Sequence, residues 1–305
     1  MDLADLLCNE EVTEICEDIG RMDYSLEVCS QVDSVLLEDS RVLSNLLREE
    51  RSIPKTDYCA TLQTQIKPHM RKIVVDWMLE VCEDQQCPAS VFHQAVSYLD
   101  RYLTRVNLPK NCFQAVAAGC LLLASKFVEV RPITTEQLSL YTDHSASVAE
   151  LREWELKILH ILEWQLCDVT PQSFLDQFLG QSTAALAGSS KVRRHAEVLA
   201  ATAMTEYKFL NVRPSLMAAA ALSAACRGLS LQYQLPTALA AEAGSVATLE
   251  AHLESLVAAY TTQYNVIPTA ASTAKAATAA CPVAREGGTT TPTDCHQVAA
   301  LVGGA

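Results

Sequence analysis

The residues of this sequence that could carry out chemistry are not spaced to do so. The 12 cysteines include no Cys-x-x-Cys pair, and the seven histidines lack the i, i+4 or paired-Cys spacing of a zinc site. Glu153 and Glu155 are two residues apart, so on a helix their carboxylates cannot face each other as a catalytic acid and base. No Gly-rich phosphate-binding loop follows a strand pattern. We therefore expect a protein that is not an enzyme and that needs no metal or cofactor.

Charge and hydropathy argue against two classes of partner. The net charge is −13 and the 23 lysines and arginines are dispersed, whereas a face that binds nucleic acid needs them clustered. The longest apolar run, around residues 115–124, is too short to cross a bilayer. We expect neither direct contact with nucleic acid nor insertion into a membrane.

The cysteines are best explained as reduced core residues. Residues 1–10 carry acids where a secretory signal peptide has a basic segment, so we expect the chain to stay inside the cell. Apolar helical patterns surround many of the cysteines, and a free cysteine in such a pattern acts as a small hydrophobic residue. These cysteines include Cys82, Cys112, Cys120 and Cys226.

Helical periodicity is dense from residue 70 to residue 162 and predicts five helices. The first begins at Met70, the second covers residues 88–103, and Pro109 opens the third. Residues 135–141 and 147–162 form the last two, with Thr134 and Ser147 as N-caps. The third helix is apolar on every side between residues 115 and 124, which predicts a hub surrounded by the other helices.

A second helix that is apolar on every side, residues 216–226, follows Pro214 and indicates a weak internal repeat. The sequence thus predicts an all-α protein with two tandem domains of five-helix type, residues 31–165 and 166–267. A leading helix from Val35 to Arg51 is predicted to lie outside the main cores and to stop before Pro54. The acidic residues 1–30 and the Ala- and Thr-rich residues 268–305 are predicted to be flexible arms.

Several short segments resemble the cyclin family. Residues 70–82 (MRKIVVDWMLEVC) resemble the first helix of the cyclin box, residues 98–103 (YLDRYL) the end of its second helix, and residues 124–129 (ASKFVE) the end of its third. Residues 77–83 and 141–145 (YTDHS) resemble the D-type cyclins in particular, and the likeness extends from about residue 42 to residue 235. The resemblance implies a cyclin fold and a regulatory subunit that activates a cyclin-dependent serine/threonine kinase within a heterodimer.

The resemblance assigns two charged residues to kinase binding. The family's Lys at the end of the third helix and its Glu in the fifth correspond to Lys126 and Glu155. Held on rigid helices, the two could make charge-assisted hydrogen bonds to main-chain groups of the kinase, whose regulatory helix the cyclin box positions. The alternative is an intramolecular ion pair that only joins two helices. Both interpretations can hold in one protein.

A stripe on the first cyclin-box helix corresponds to the patch with which related cyclins bind Arg-x-Leu motifs of substrates and inhibitors. Met70, Val74 and Trp77 form the stripe, and Glu80 is near enough to meet the Arg. Val74 stands where some relatives have Leu, so a shallower pocket is expected. The alternative is that the stripe is ordinary core, as apolar residues at helical spacing usually are.

The N-terminal arm contains the Leu-x-Cys-x-Glu motif with which D-type cyclins are thought to dock on the retinoblastoma protein. Its residues are Leu6, Cys8 and Glu10, whose side chains face one way in an extended chain. A partner groove could then take two small apolar groups and pair with one carboxylate. The alternative is an ordinary acidic terminus.

The resemblance implies that the complex phosphorylates retinoblastoma-type proteins and promotes entry into DNA replication. We expect the chain in the nucleus and cytoplasm.

Thr291, followed by Pro292, resembles the proline-directed phosphorylation site that governs the turnover of D-type cyclins, although the preceding acidic run is absent. The resemblance also makes kinase inhibitor proteins and a ubiquitin ligase candidate partners.

A different class of protein shares the two-repeat helical plan: transcription-factor-like cyclin-fold proteins that act as adaptors on polymerase or DNA. Such a protein should be basic, so the acidity of this chain argues against that class.

Overall fold

The computed structural model describes residues 39–52, 56–182, 186 and 188–264, and every regular element in these ranges is helical. Helix α1 (Ser40–Glu49) and the short helix α2 (Tyr58–Thr61) come first. The first half then contains α3 (Pro68–Asp84), α4 (Ala89–Arg105), α5 (Phe113–Val128), α6 (Thr135–Tyr141) and α7 (Val148–Ile161). The five helices predicted between residues 70 and 162 are confirmed.

The starts of the helices follow local sequence signals. Thr134 and Ser147 are the N-caps of α6 and α7 as predicted, and each forms a capping box with the residue three positions later. Two boundaries differ from the prediction. Pro88 is the cap residue in front of α4 instead of lying in its first turn, and Pro109 is followed by a 3₁₀ turn (Lys110–Cys112) before α5 begins.

Helix α5 is the hub of the first half. It packs against α3, α4, α6 and α7, and its residues 116–125 are all buried. Gly119 allows α7 to approach closely, because a Cβ at this position would lie 2.7 Å from Ile158 Cδ1 and 3.4 Å from Trp154 Cβ. By length and hydropathy the stretch Lys110–Val128 could cross a membrane, but 67% of its most apolar window is buried inside the fold. Such burial is typical of the core helix of a helical domain.

The second half repeats this plan with smaller side chains. In its described residues the helices are α8 (Pro171–Gly180), α9 (Ser190–Thr205), α10 (Pro214–Gly228) and α11 (Ala243–Tyr264). Helix α10 is the predicted second hub and packs against the other three. Alanine supplies much of the core: Ala196, Ala200, Ala203, Ala218, Ala219, Ala220, Ala221 and Ala225.

Helix α1 packs on the core of the second half, so the prediction that the leading helix lies outside the main cores is wrong. Leu43 is buried among residues of that core. Just after the helix, Glu50 is buried and its carboxylate accepts hydrogen bonds from Ser215 N (3.0 Å) and Ser215 Oγ (2.8 Å) at the start of α10. A carboxylate at a helix N-terminus satisfies backbone N–H groups and is favoured by the helix dipole. The amphipathic pattern predicted the helix but not the half that would receive its apolar face.

A buried arginine ties the two halves together. Arg71 on α3 makes a two-pronged ion pair with Asp100 on α4, with Nε 2.8 Å from Oδ1 and Nη2 2.7 Å from Oδ2. Its remaining nitrogen, Nη1, donates to the carbonyl oxygens of Met204 (3.0 Å) and Thr205 (3.2 Å) at the end of α9. Burial opposes the charged form, but the Asp100 carboxylate raises the pKa of Arg71 above its ordinary value. The guanidinium therefore stays charged and connects the halves.

Most of the cysteines expected in the core are found there. Cys82, Cys120 and Cys226 are buried, whereas Cys112 is half-buried at the edge of the first core. Burial raises the pKa of the Cys120 thiol, which keeps it protonated and unreactive at neutral pH. These thiols act as small apolar groups, as predicted.

Candidate functional site

The structure brings Lys126 and Glu155 together at one edge of the first half. Lys126 is in the last turn of α5 and Glu155 is in the middle of α7. Lys126 Nζ lies 2.7 Å from Glu155 Oε1 and 2.9 Å from Oε2. The intramolecular ion pair weighed as the alternative is therefore formed. It does not exclude the role in partner binding, because the Lys126 side chain remains 45% exposed and that of Glu155 17% exposed.

The ion pair borders a groove of about 380 Å³ between the end of α5, the start of α6 and α7. Ser125, which is fully buried on α5, fixes a residue that lines this groove: its Oγ accepts a 2.6 Å hydrogen bond from the N–H of Ile133, in the segment that leads to α6. Sequence reasoning missed this role, because a single Ser inside an apolar helix gives no sign of its partner. The segment that carries Ile133 is thus tied to α5 beside the groove.

The surface next to the ion pair is apolar and exposed. On a soluble protein, neighbouring exposed apolar side chains mark a binding surface more often than isolated ones do. The apolar side chains that stand exposed beside Lys126 and Glu155 in the sequence are Phe127, Val128, Val130 and Leu156. The sequence signal for this surface was available, since the apolar pattern of α5 continues past its charged end. A charged pair with exposed apolar residues next to it in the sequence is an arrangement typical of surfaces where another protein binds.

The close contact between α5 and α7 positions the two charged side chains. Gly119 lies two turns before Lys126, and Ile158 and Trp154, the residues closest to it, are on the same helix as Glu155. Because the absence of a side chain at Gly119 sets how closely the helices approach, it also sets how far Lys126 stands from Glu155. The side chain of Lys157 adds a cation over the ring of Trp154, with Nζ 4.7 Å from the ring centroid.

The predicted docking stripe on α3 is buried in the isolated chain. Met70, Val74 and Trp77 are 7%, 2% and 0% exposed, and all three belong to the core of the first half. Glu80, one turn beyond Trp77, is half-buried. The core interpretation therefore accounts for the three apolar side chains. The docking role of the stripe remains a prediction. In the described conformation, only Glu80 and the edge of Met70 could contact a docked peptide unless other side chains moved.

Four predicted site residues lie outside the described residues. Leu6, Cys8 and Glu10 of the N-terminal motif are among them, and so is Thr291. Their roles remain predictions. In the part of the chain that the structure describes, no group of three or more His, Cys, Asp and Glu side chains is placed to hold a metal ion.

Two family models together match most of the chain. Residues 41–167 match the cyclin N-terminal domain, and residues 169–284 match the cyclin C-terminal domain. The boundary between the two matches lies between α7 and α8. Both Lys126 and Glu155 fall within the first match.

Full-length relatives and a solved structure agree with the family models. The G1/S-specific cyclin-D3 of Bos taurus is 44% identical over 198 residues, which cover 65% of this chain and 68% of the relative. The G1/S-specific cyclin-D2 of Mus musculus is 42% identical over 219 residues, which cover 69% and 75%. The X-ray structure of a viral cyclin from Herpesvirus saimiri is 26% identical, with a TM-score of 0.60 over 70% of this chain and 93% of that one.

Proposed function

We propose that this chain, which belongs to the cyclin family and within it to the D-type cyclins, activates a cyclin-dependent kinase of the D-cyclin-partnered class by binding through Lys126 and Glu155. Cyclins are non-catalytic regulatory subunits of such kinases, so the chain is a regulator and not an enzyme. The proposal extends to the outcome: phosphorylation of retinoblastoma-type proteins and entry into DNA replication. The observation that carries the binding site is the ion pair set in an exposed apolar surface.

The proposed mechanism is positional. The apolar surface at the end of α5 and on α7 receives the regulatory helix of the kinase, and binding excludes water from the ion pair. In that drier setting, Lys126 Nζ can donate to main-chain carbonyls of the partner and Glu155 can accept from main-chain N–H groups. Each charge keeps its intramolecular partner, so neither is left uncompensated when it becomes buried. The kinase helix is thereby held where its Glu can pair with the ATP-contacting Lys.

The ion pair contributes too little to folding for stability to be its main purpose. Exposed pairs between surface side chains stabilise proteins by about 0–1 kcal/mol, and the 45% exposure of Lys126 places it in this class. The helices α5 and α7 are already joined by apolar packing along their length. A charged pair that adds little to folding and has exposed apolar residues beside it in the sequence favours partner binding over helix joining.

A charge exchange separates the two interpretations. The double variant Lys126→Glu/Glu155→Lys can re-form the intramolecular ion pair but presents each charge in the wrong place to a partner. We expect the double variant to keep wild-type helicity and melting temperature while losing kinase co-purification by at least about 100-fold, as lost charge-assisted hydrogen bonds would require. Kinase binding restored to the wild-type level by the double variant would overturn the proposal, because the pair would then only join helices.

The pair Lys157 and Glu153 provides a matched control. It is also a lysine–carboxylate ion pair (3.3 Å) on α7, and both side chains are more exposed than Glu155. Exchange of these two charges should leave kinase binding unchanged. Kinase activity of each complex on a retinoblastoma fragment then reports whether binding and activation are lost together.

We propose two docking roles for substrates. Leu6, Cys8 and Glu10 would bind a retinoblastoma-type protein, and Met70, Val74, Trp77 and Glu80 would receive an Arg-x-Leu motif. To test the N-terminal motif, Leu6→Ala/Cys8→Ala should lower retinoblastoma-fragment phosphorylation without changing activity on a short peptide substrate.

To test the stripe on α3, Glu80→Ala should abolish competition by an Arg-x-Leu peptide. No effect of that peptide on the wild-type complex would count against the patch.

We also propose that Thr291 controls turnover and that the chain works in the nucleus and cytoplasm. Phosphorylation at Thr291 would add charge and hydrogen-bond acceptors that a ubiquitin ligase could recognise. Thr291→Ala should lengthen the half-life of the chain after protein synthesis is blocked. An unchanged half-life would remove this site from the proposal. Fractionation of cells expressing the tagged chain tests the localisation.

A further inference from the structure

An open apolar groove lies on the second half of the molecule, far in sequence from Lys126 and Glu155. Helices α9, α10 and α11 line it, and its volume is about 990 Å³. Its floor consists of apolar and small residues, while charged side chains stand along both edges. The floor residues are Val198, Leu199, Ala224, Ala225, Gly228, Leu229 and Ala258.

The groove exists because the helices of the second half present small residues at its centre. Two adjacent alanines, Ala224 and Ala225, form the α10 side, and Gly228 follows one turn later. Protein interiors are packed at the density of organic crystals, so a space of this size between helices stays open only at a surface. Val198 on α9 is 57% exposed next to this space. Open apolar grooves are typical of protein surfaces that bind another molecule.

One edge of the groove is positively charged in a chain that is strongly negative. Lys191, Arg194 and His195 are exposed on α9 and follow the helical spacing that leads to Val198. Among the described residues neither Lys191 nor Arg194 has an ion-pair partner, whereas their neighbour Arg193 faces Asp176 and Glu197. With a net charge of −13 on the chain, an unneutralised basic edge is a local exception.

The opposite edge of the groove carries one arginine between two carboxylates. Arg227 at the end of α10 pairs with Glu250 (2.7 Å) and Glu254 (3.1 Å) on α11. The groove is therefore electrostatically one-sided: a ligand that fits it presents carboxylates toward α9 and uncharged or basic groups toward α11. Complementary charge of this kind governs which partner binds and how fast it associates.

We propose that this groove binds an amphipathic helix of a partner protein, with its apolar residues on the alanine floor and its acidic residues against Lys191, Arg194 and His195. Helix α9 has 16 residues and is about 24 Å long, which suits a partner helix of about four turns. A partner helix usually fills such a groove with apolar anchor residues at positions i, i+3 or i+4 and i+7. The site is independent of the proposed kinase-binding surface.

Other classes of ligand fit the groove less well. Its volume is at the upper end of the range for small-molecule pockets, and it is open along the surface instead of enclosed. Nucleic acid would match the basic edge, but phosphates would meet the carboxylate of Glu254 on the other side and an apolar floor between. The remaining alternative is that a second copy of this chain occupies the groove, which the experiment below can detect.

The test is a selection from displayed helical peptides on the purified full-length chain. The library fixes apolar residues at i, i+3, i+4 and i+7 and allows Glu, Gln or Lys at every other position. We expect the recovered peptides to be rich in Glu. Binding of the recovered peptides should weaken by at least about 10-fold in Val198→Glu and in Lys191→Glu/Arg194→Glu. Leu140→Glu, a change at an exposed apolar residue of α6, is the matched control and should bind them as the wild type does.

Three results would overturn the proposal. One is recovery of Lys-rich peptides, or of peptides without a charge preference. Another is the absence of any peptide whose binding depends on Val198, Lys191 and Arg194. The third is self-association in sedimentation experiments that Val198→Glu abolishes, because the occupant would then be a second copy of the chain. Val198, Lys191 and Arg194 are all exposed, so circular dichroism should show that the variants fold.

Discussion

The two halves of this cyclin share one plan, a hub helix surrounded by others, but they are held together in different ways. The core around the first hub, α5, contains large side chains: Trp77 and Phe92 from other helices and Phe113 from α5 itself. The core around the second hub, α10, is built largely from alanines of α9 and of α10 itself, with Phe174 and Phe178 of α8 among its aromatic residues. Large interlocking side chains determine helix positions more tightly than small ones do.

This difference agrees with the surfaces that each half presents. The tightly packed half carries Lys126 and Glu155, which under the proposed function direct hydrogen bonds at a partner and must then be held within a fraction of an ångström. The alanine-rich half leaves the open groove beside Val198. A repeated fold can thus place a rigid site in one copy and an adaptable surface in the other.

The largest expected effect comes from breaking the link between the halves. Arg71→Leu removes the partner of Asp100 and leaves two carbonyl oxygens of the second half without their donor. We expect a loss of about 3–5 kcal/mol, as is typical when one partner of a buried ion pair is removed. The halves should then unfold in separate thermal transitions. The double variant Arg71→Leu/Asp100→Asn should recover part of the loss, and a single transition at the wild-type temperature would contradict this role.

The first core also contains a histidine that should make stability depend on pH. His93 is fully buried and neither ring nitrogen has a hydrogen-bond partner among the described residues. Burial lowers the pKa of His93 to about 4, below its ordinary value of 6.5. As the pH falls from 6.5 toward 4, the unfolded chain binds a proton that the folded chain does not, so stability falls by up to about 3 kcal/mol.

His93→Leu tests this prediction, because leucine has a similar volume and needs no hydrogen bond. The difference in melting temperature between variant and wild type should grow as the pH is lowered from 7 to 5. A difference that does not change with pH would show that the imidazole titrates normally in the folded chain.

A glycine in each hub helix allows a direct comparison of packing. Gly119→Ala adds a methyl group 2.7 Å from Ile158 Cδ1, so α7 or the Ile158 side chain must shift. We expect a loss of about 1–3 kcal/mol, as for other overpacked cores, together with weaker kinase binding because Glu155 moves with α7. At Gly228 on α10, a Cβ meets nothing within 4 Å. Gly228→Ala should be neutral or stabilise by up to about 1 kcal/mol. Equal effects at the two positions, measured by denaturant unfolding, would remove the contrast in packing.

The smallest expected effects are at the helix N-caps. Ser147 caps α7 through a capping box, whereas Ser189 caps α9 through one longer hydrogen bond, 3.4 Å from Val192 N. Ser147→Ala should lower stability by about 1 kcal/mol, and Ser189→Ala by about half as much. Thermal unfolding of the two variants tests which loses more stability. A larger loss in Ser189→Ala than in Ser147→Ala would contradict the prediction.

The sequence was informative wherever a structural feature depends on nearby residues. Periodicity and N-caps predicted the helices between residues 70 and 162 because each signal acts within one or two turns. It was less informative at helix α1, whose apolar stripe did not reveal that Leu43 packs on the second core. Nor did it reveal that Glu50 binds Ser215, which is 165 positions away along the chain.

By itself, the sequence determined the helical class, the two hubs, the family and the candidate residues Lys126 and Glu155, because these follow from local pattern and from resemblance. Only the tertiary structure decided that these two residues pair, that Arg71 reaches the carbonyls of α9, and that small residues on α10 leave a groove beside Val198. Such features depend on how helices separated in the sequence pack together. That packing is the sum of many weak contacts, and no short segment of sequence contains it.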